Sequence, residues 1–407
     1  MTNKKNIPFS PPHVSEAIIN EVTDTLRSGW WTTGPKTKLF EKKIAEYSQV
    51  PRAICLNSAT AGLELILRWF GVKEGDEVII PAYTYSATAN VVMHCGATPV
   101  MVDTGKDFNI DPQKIEEAIT TKTKVIIPVD IAGFPCDYQQ IREIIEQKKH
   151  LFTPTHENQK KLGRILLMAD AAHSFGAEYQ NKKAATFSDI AVFSFHAVKN
   201  LPTAEGGAVC INLPEPFDAE DVYKYLNIMS LHGQTKDALA KTQGSNWEYD
   251  IIFPGYKANM TDIQASIGLA QLPEYPKMLQ RRKEIFLQYQ AAFSNYSRVE
   301  LPPFITPEKI SSFHLFLLRI NNISEQERNR IIDEIFERNV SVNVHFKPLP
   351  LLSAYKNAGY DINNYPVAYD NFSRVISLPV YYDLTDEQVQ RVIHAVMESI
   401  ESVLQNA

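Results

Sequence analysis

Lys199 stands in Phe193-Ser-Phe-His-Ala-Val-Lys199, at the end of an apolar run, and Asn-Leu-Pro-Thr-Ala-Glu-Gly-Gly207 follows it. A lysine so placed, near a serine and ahead of a glycine pair, can act as a Schiff-base nucleophile, whereas most lysines are surface cations. Asp170 closes a second apolar run, Leu166-Leu-Met-Ala-Asp170, and leads into Ala-Ala-His173. An acid at the C-terminal end of a strand lies on the rim where α/β sheets place ligands. It could be a metal ligand, a helix cap or the carboxylate facing a cofactor's pyridinium nitrogen. A third segment, Asn57-Ser-Ala-Thr-Ala-Gly-Leu63, sets small polar residues between a strand and a helix. Its N–H groups and hydroxyls make either a phosphate cradle or a simple cap from Asn57 or Ser58. Asp170 and Lys199 fall at the ends of neighbouring strands, so both can reach one bound ring.

The elements that must hold these residues are legible as alternating patterns. Short β-branched runs at Ala53–Leu56, Glu77–Ile80, Thr98–Val102, Val125–Val129, Ile165–Ala169, Ile190–Phe195 and Ala208–Ile211 read as strands. Helical spacing lies between them, with Leu63, Ile66, Leu67 and Phe70 on one face of Ala59–Phe70, and with Asp111 and Asp137 as N-caps of two further helices. Strand–helix alternation of this kind predicts an α/β fold, a mostly parallel sheet covered by helices. Leu151–Gly163 is polar and reads as a surface insertion, and His232–Lys257 reads as loops. A long helical pattern starts at Thr261, with Pro273 and Pro276 set to break or kink it. The last hundred residues or so read as a smaller α+β unit, with strands Leu315–Ile320 and Val340–Phe346 flanking a helix at Ser324–Asn339. A capping box at Thr385–Gln388 opens a final helix. The division is expected near Gly255, giving a large unit over 1–255 and a smaller one over 256–407.

Composition narrows the classes. The 407 residues carry 41 Lys and Arg against 47 Asp and Glu, a net charge of −6, with no basic footprint for nucleic acid. No apolar run reaches the roughly 20 residues that span a bilayer. Lys4 and Lys5 have no apolar stretch behind them, so Met1–Pro12 does not read as a secretory signal, and a cytoplasmic location is expected. Cys55, Cys95, Cys136 and Cys210 lack metal-ligand or redox spacing and read as buried, reduced thiols; no metal site is expected.

The ordered set of motifs resembles the pyridoxal-phosphate-dependent sugar-nucleotide aminotransferases of the DegT/DnrJ/StrS type. It begins at Ser28-Gly-Trp-Trp-Thr-Thr-Gly-Pro35 and Phe40-Glu41, and runs through Ser58–Leu63 and Pro81-Ala-Tyr-Thr-Tyr-Ser-Ala-Thr88. Ala169–Gly176, Ser194–Lys199, Glu205–Gly207, Gly255-Tyr-Lys-Ala-Asn-Met-Thr-Asp262, Ser312–His314, His345–Leu349 and Leu378-Pro379 complete it. The resemblance covers nearly the whole chain and implies the fold of type I PLP-dependent transferases. It implies that Lys199 attaches pyridoxal 5'-phosphate, that Asp170 pairs with the pyridine nitrogen, and that Tyr85 stacks on the ring. His173 would sit near the ring oxygen. Thr60, Ala61 and Ser194 would hold the phosphate, and Asn259 would reach the phosphate of the neighbouring subunit in a homodimer with shared sites. Two positions depart from the family pattern: Ala59 where glycine is common, and Pro350 where histidine often follows Pro-Leu.

The resemblance further implies L-glutamate as amino donor and a nucleotide-linked keto sugar as acceptor. The pattern from His196 to Gly207 is similar to members that aminate C4 of UDP- or GDP-linked 4-keto-6-deoxy sugars, and UDP is expected, giving a 4-amino sugar for polysaccharide or glycan biosynthesis. His196 can equally pack or cap. The alternatives are a C3 aminotransferase and a PLP-binding regulator without turnover. A dehydratase of the same fold would carry His where Lys199 stands.

Overall fold

In the computed structural model, residues 6–236 and 248–405 are described. Seven strands form one sheet in the order Arg52–Leu56, Gly207–Ile211, Ile190–Ser194, Leu166–Asp170, Thr123–Ile126, Glu77–Pro81 and Thr98–Val102. Only Gly207–Ile211 pairs antiparallel, with a neighbour on each side; the other pairings are parallel. All five residues of Leu166–Asp170 are buried, as expected where helices cover both faces. The period of two sorts them. Leu166 and Met168 enter one core with Leu63, Ile66 and Val192, while Leu167 and Ala169 enter the other with Phe40, Ile44 and Phe193.

A second, three-stranded antiparallel sheet joins Val299–Glu300, Phe316–Ile320 and Val375–Leu378. A third core, including Ile285, Phe286, Ile331, Ile335, Val392 and Val396, lies between this sheet and the helices Tyr275–Phe293, Glu325–Glu337 and Asp386–Gln405. The pattern from Thr261 resolves into a helix at Asp262–Gln271, a 3-10 turn at Leu272–Glu274 and a helix at Tyr275–Phe293. Pro276 falls in the first turn of the second helix, where its missing N–H costs nothing.

Three expectations need correction. Val340–Phe346 is not a strand: Val340 pairs singly with Ile7 and Asn343 singly with Ser377. The chain there turns instead, with the Asn343 side chain accepting the Val344 N–H at 2.7 Å, and so delivers His345 and Phe346 to the cavity described below. Leu151–Gly163 is not a mere surface insertion. It contains the helix Glu157–Leu162, whose Gln159 is fully buried and donates to Phe70 O at 2.9 Å, while Asn158 donates to Trp69 O at 2.7 Å. A polar segment is therefore spent on closing the carbonyl end of helix Ala59–Trp69. Asp137 stands at the N-cap position as expected but makes no side-chain cap, its carboxylate meeting Lys309 Nζ at 2.7 Å instead, while Asp111 caps as expected. Within the segment His232–Lys257, read as loops, Leu231 pairs with Lys257 and Gln234 with Ile251, and 237–247 lies outside the described residues, as do Met1–Lys5 of the segment Met1–Pro12.

Candidate active site

The C-terminal ends of the parallel strands open on a cavity of about 440 Å³. Asp170 arrives as the last residue of its strand, and His173 in the tight turn behind it. Ser194 ends the neighbouring strand, and Lys199 follows in a turn closed by its own N–H donating to His196 O at 2.9 Å. Thr60 sits in the first turn of helix Ala59–Trp69, and Tyr85 in the loop ahead of helix Ala87–His94. Thr60, Tyr85, Asp170, His173, Ser194 and Lys199 all line the cavity.

Ala61 is not on the lining; its N–H donates to the Ser58 hydroxyl at 3.1 Å, so Ser58 is the cap of that helix. Asn259 also lies away from this chain's cavity, with Nδ2 donating to Thr33 Oγ1 at 2.7 Å. It caps nothing: Thr261 caps the helix that follows, in a full capping box with Gln264. Asp170 caps no helix either, because a turn follows its strand. Among the described residues no three His, Cys, Asp or Glu side chains come together as a metal site.

Burial sets the charges. The Lys199 amine is pushed down to about 8 by enclosure in protein, with the Asp170 charge pulling the other way. Burial raises the Asp170 carboxyl, opposed by the Thr88 hydroxyl at 2.8 Å, by the Ala172 N–H at 3.3 Å and by Lys199. Three imidazoles stay uncharged beside them. Burial holds His173 and His314 well below the ordinary range and takes His345 to about 4, and the Lys199 charge adds to each shift. The Ala132 N–H donates to His173 Nδ1 at 3.2 Å, which leaves the proton of that neutral ring on Nε2.

The residues fit pyridoxal phosphate on three counts. A buried amine of lowered proton affinity borders the cavity, as a Schiff-base lysine must. A buried carboxylate, Asp170, lies within electrostatic reach of it. The first turn of helix Ala59–Trp69, whose leading N–H groups lack intrahelical acceptors, borders the same space. A Cβ at Gly207 would lie 2.4 Å from Ala59 N, so this glycine lets the strand end press against that turn. Of the positions named for the phosphate, Thr60 and Ser194 line the same cavity as Asp170, Lys199 and the three histidines, while Ala61 and Asn259 do not.

The site also holds residues to which sequence reasoning gave no role. His314, His345 and Phe346 come from the C-terminal part of the chain, and Phe9 and Ser10 from the N-terminal segment. Phe9 stacks on His345 with ring centroids 5.4 Å apart, and the His173 ring lies 4.5 Å from that of His314 and 5.7 Å from that of Phe346. The motifs Ser312–His314 and His345–Leu349 were visible in sequence; their meeting with His173 across more than a hundred residues was not.

The family model described as DegT/DnrJ/EryC1/StrS aminotransferase family matches residues 12–397. Spr1654 of Streptococcus pneumoniae, a proposed sugar aminotransferase solved in its PMP form, superposes with a TM-score of 0.95 at 51% identity, covering 98% of this chain and 100% of that one. Its PLP form superposes at 0.94. The spore coat polysaccharide biosynthesis protein SpsC of Bacillus subtilis is 35% identical over 98% of this chain and 99% of its own. PseC of Helicobacter pylori, an aminotransferase in the biosynthesis of pseudoaminic acid, is 29% identical with a TM-score of 0.86, covering 98% and 100%.

Proposed function

The chain belongs to the DegT/DnrJ/EryC1/StrS aminotransferase family and is a PLP-dependent sugar aminotransferase of type I fold, and from that premise we propose that it moves an amino group from L-glutamate to C4 of a UDP-linked 4-keto-6-deoxy sugar. The observation that carries this reading is the enclosure of Lys199 beside Asp170 in one cavity. PLP, when bound, supplies an electron sink for deprotonation at the donor's Cα. Lys199 attaches the cofactor and, once released, moves the proton, a task suited to an amine poised near neutrality. Asp170 keeps the ring nitrogen protonated. His173 would offer Nε2–H toward the ring oxygen, Tyr85 would cover the ring, and Thr60 and Ser194 would take the phosphate, with Ala61 able to join them only by giving up its bond to Ser58.

Sugar position and nucleotide rest on the His196–Gly207 pattern. His196 Nε2 lies 3.6 Å from Glu205 Oε1 and both residues line the cavity, which supports a part for them in meeting an acceptor sugar. The spore-coat and pseudoaminic-acid relatives support a product destined for surface polysaccharide or glycan. A homodimer with shared sites is supported by Asn259, which does not line its own chain's cavity and donates to Thr33 instead. The same reading divides the chain into units 1–255 and 256–407, although helix Asp262–Gln271 packs back on Glu16–Ser28 and Pro35–Ser48 of the first. A cytoplasmic location accords with four free, buried cysteines.

The test is incubation with L-glutamate and a panel of UDP-, GDP- and dTDP-linked 3-keto and 4-keto sugars, with products read by mass and NMR. A new amine on C4 of the UDP-linked 4-keto-6-deoxy sugar is expected. An amine on C3, or turnover confined to another nucleotide, would replace the finer reading while leaving the family's chemistry in place.

A further inference from the structure

Two buried threonines stand behind Asp170. Thr84 is 2% exposed and Thr88 is fully buried, and their hydroxyls lie 3.0 Å apart. Thr88 Oγ1 lies 2.8 Å from Asp170 Oδ2. Thr84 borders the cavity, and Thr88 rides on helix Ala87–His94 packed behind it.

The chemistry of these groups fixes the direction of the chain. An ionised carboxylate only accepts hydrogen bonds, so the Thr88 hydroxyl must spend its single proton on Asp170 Oδ2. Its oxygen is then an acceptor, and Thr84 becomes the donor to it. Oδ1 of Asp170 keeps only the Ala172 N–H at 3.3 Å, a weak contact, so of the two oxygens it is the less strongly engaged and the freer to meet a ligand. We propose that Thr88, backed by Thr84, is a positioning residue of this enzyme, which holds Asp170 ionised and oriented so that Oδ1 is left for the pyridine N–H of the cofactor. This rests on the assignment of Asp170 as partner of the ring nitrogen.

The need for such a device is visible in the surroundings. Asp170 is buried, and the Asp130 carboxyl, itself buried, works against its charge. Lys199 favours the charge, and Tyr138 is the other titratable group that feels it. Helix Ala87–His94 brings no charged group to Asp170, so the threonine hydroxyl is what that side contributes. A donor backed by a second donor is polarised and binds an anion more strongly than a lone hydroxyl.

The experiment uses purified holoenzyme of wild type, Thr88→Val, Thr88→Ser, Thr84→Val and Asp170→Asn. Three readouts are taken: the absorbance of the bound cofactor against pH without substrates, cofactor retained after dialysis, and the glutamate half-reaction by stopped flow. Thr88→Val keeps the shape and removes the donor. Loss of one hydrogen bond to a buried charge is expected to slow the half-reaction by roughly 10- to 100-fold, to weaken cofactor retention and to move the acid-side spectral transition to higher pH. The sign follows because a carboxylate deprived of its donor ionises only at higher pH. Thr88→Ser restores the hydroxyl and should return within about threefold of wild type. Thr88→Val with wild-type spectrum and rate, while Asp170→Asn is inactive, overturns the positioning role and leaves the Asp170 pairing intact. Near-normal rates in Asp170→Asn sink the pairing and the proposal with it. Should Thr88→Val fail to fold or to keep cofactor, Thr84→Val decides, since it leaves every direct contact of Asp170 in place. A severalfold loss with an upward spectral shift supports the relay, and wild-type behaviour overturns it.

Discussion

An ammonium enclosed by protein loses the hydration that stabilises its charge, and this is how an ordinary lysine becomes a reagent at Lys199. The three neutral histidines of the cavity add no countercharge, and Asp170 supports the cation. With the amine pushed down to about 8, uptake of pyridoxal phosphate by the apoenzyme should accelerate as pH rises and level off above a midpoint near that value. The sign follows because only the unprotonated amine attacks an aldehyde. In Asp170→Asn the midpoint should fall, since the favourable charge is gone; a midpoint near that of a free lysine in either protein would contradict the burial argument. Lys199→Ala should lose the absorbance of lysine-bound cofactor and at least about a thousandfold in transamination, the usual scale for removing a covalent catalyst. An unchanged spectrum would strike Lys199 from its role. Asp170→Asn should keep cofactor yet lose about as much of the glutamate half-reaction, because an amide cannot hold the ring nitrogen protonated. Stopped-flow traces at near wild-type rate would remove Asp170 from that role.

At the scale of elements, one carboxylate joins two motifs far apart in sequence. Asp262, 1% exposed, accepts the N–H groups of Gly34 at 2.8 Å, Lys36 at 3.0 Å and Thr37 at 2.8 Å, and the Thr37 hydroxyl at 2.6 Å. It thereby caps helix Pro35–Ser48 from outside and fixes Thr33, which in turn holds Asn259. Asp262→Ala strands four donors, three of them buried, and should cost about 2–4 kcal/mol of stability by denaturant melting. Asp262→Asn should recover part of that, and a loss under about 0.5 kcal/mol in the alanine variant would show that water replaces the carboxylate. The Thr-Thr-Gly-Pro and Asn-Met-Thr-Asp segments were legible separately; that one caps the other depends on folding across more than two hundred residues. The strands were legible because both their faces are buried, which makes the apolar runs continuous. Val340–Phe346 misled for the same reason: Val340 and Val342 are apolar and buried, but they serve as isolated anchors rather than as a ladder. Gln159 misled in the opposite direction, since a satisfied buried amide looks like surface in sequence. Asp170 and Lys199 were found from strand-end position, whereas Phe9 and His345 carry no local signal of a cavity and were placed by tertiary contact alone.

At the scale of the molecule, the proposed homodimer would have to cover the cavity's exposed rim. Tyr85 at its mouth is 62% exposed, and Asn259 is turned elsewhere. Large apolar side chains are exposed on the neighbouring N-terminal segment: Trp31, whose carbonyl accepts the Asp262 N–H, is 55% exposed, and Ile19 and Leu26, seven residues apart on one helix face, are each 46% exposed. Such a cluster is costly in water and suits a face buried against a second copy, with two-fold symmetry bringing each Asn259 toward the other chain's site. A mixing experiment decides the matter. Lys199→Ala and Asn259→Ala subunits are prepared separately, shown to be strongly impaired, and allowed to exchange, with exchange followed by native mass spectrometry. If sites are shared, one site of each mixed dimer combines Lys199→Ala with Asn259→Ala and is dead, while the other has both residues intact. Statistical mixing of equal amounts puts about half the dimers in the mixed form, each with one working site of two, so activity should return to about a quarter of wild type. If Asn259 serves its own subunit, every site in every dimer carries one defect and activity stays at the level of the unmixed variants. That flat result, with exchange demonstrated, would confine each active site to a single chain.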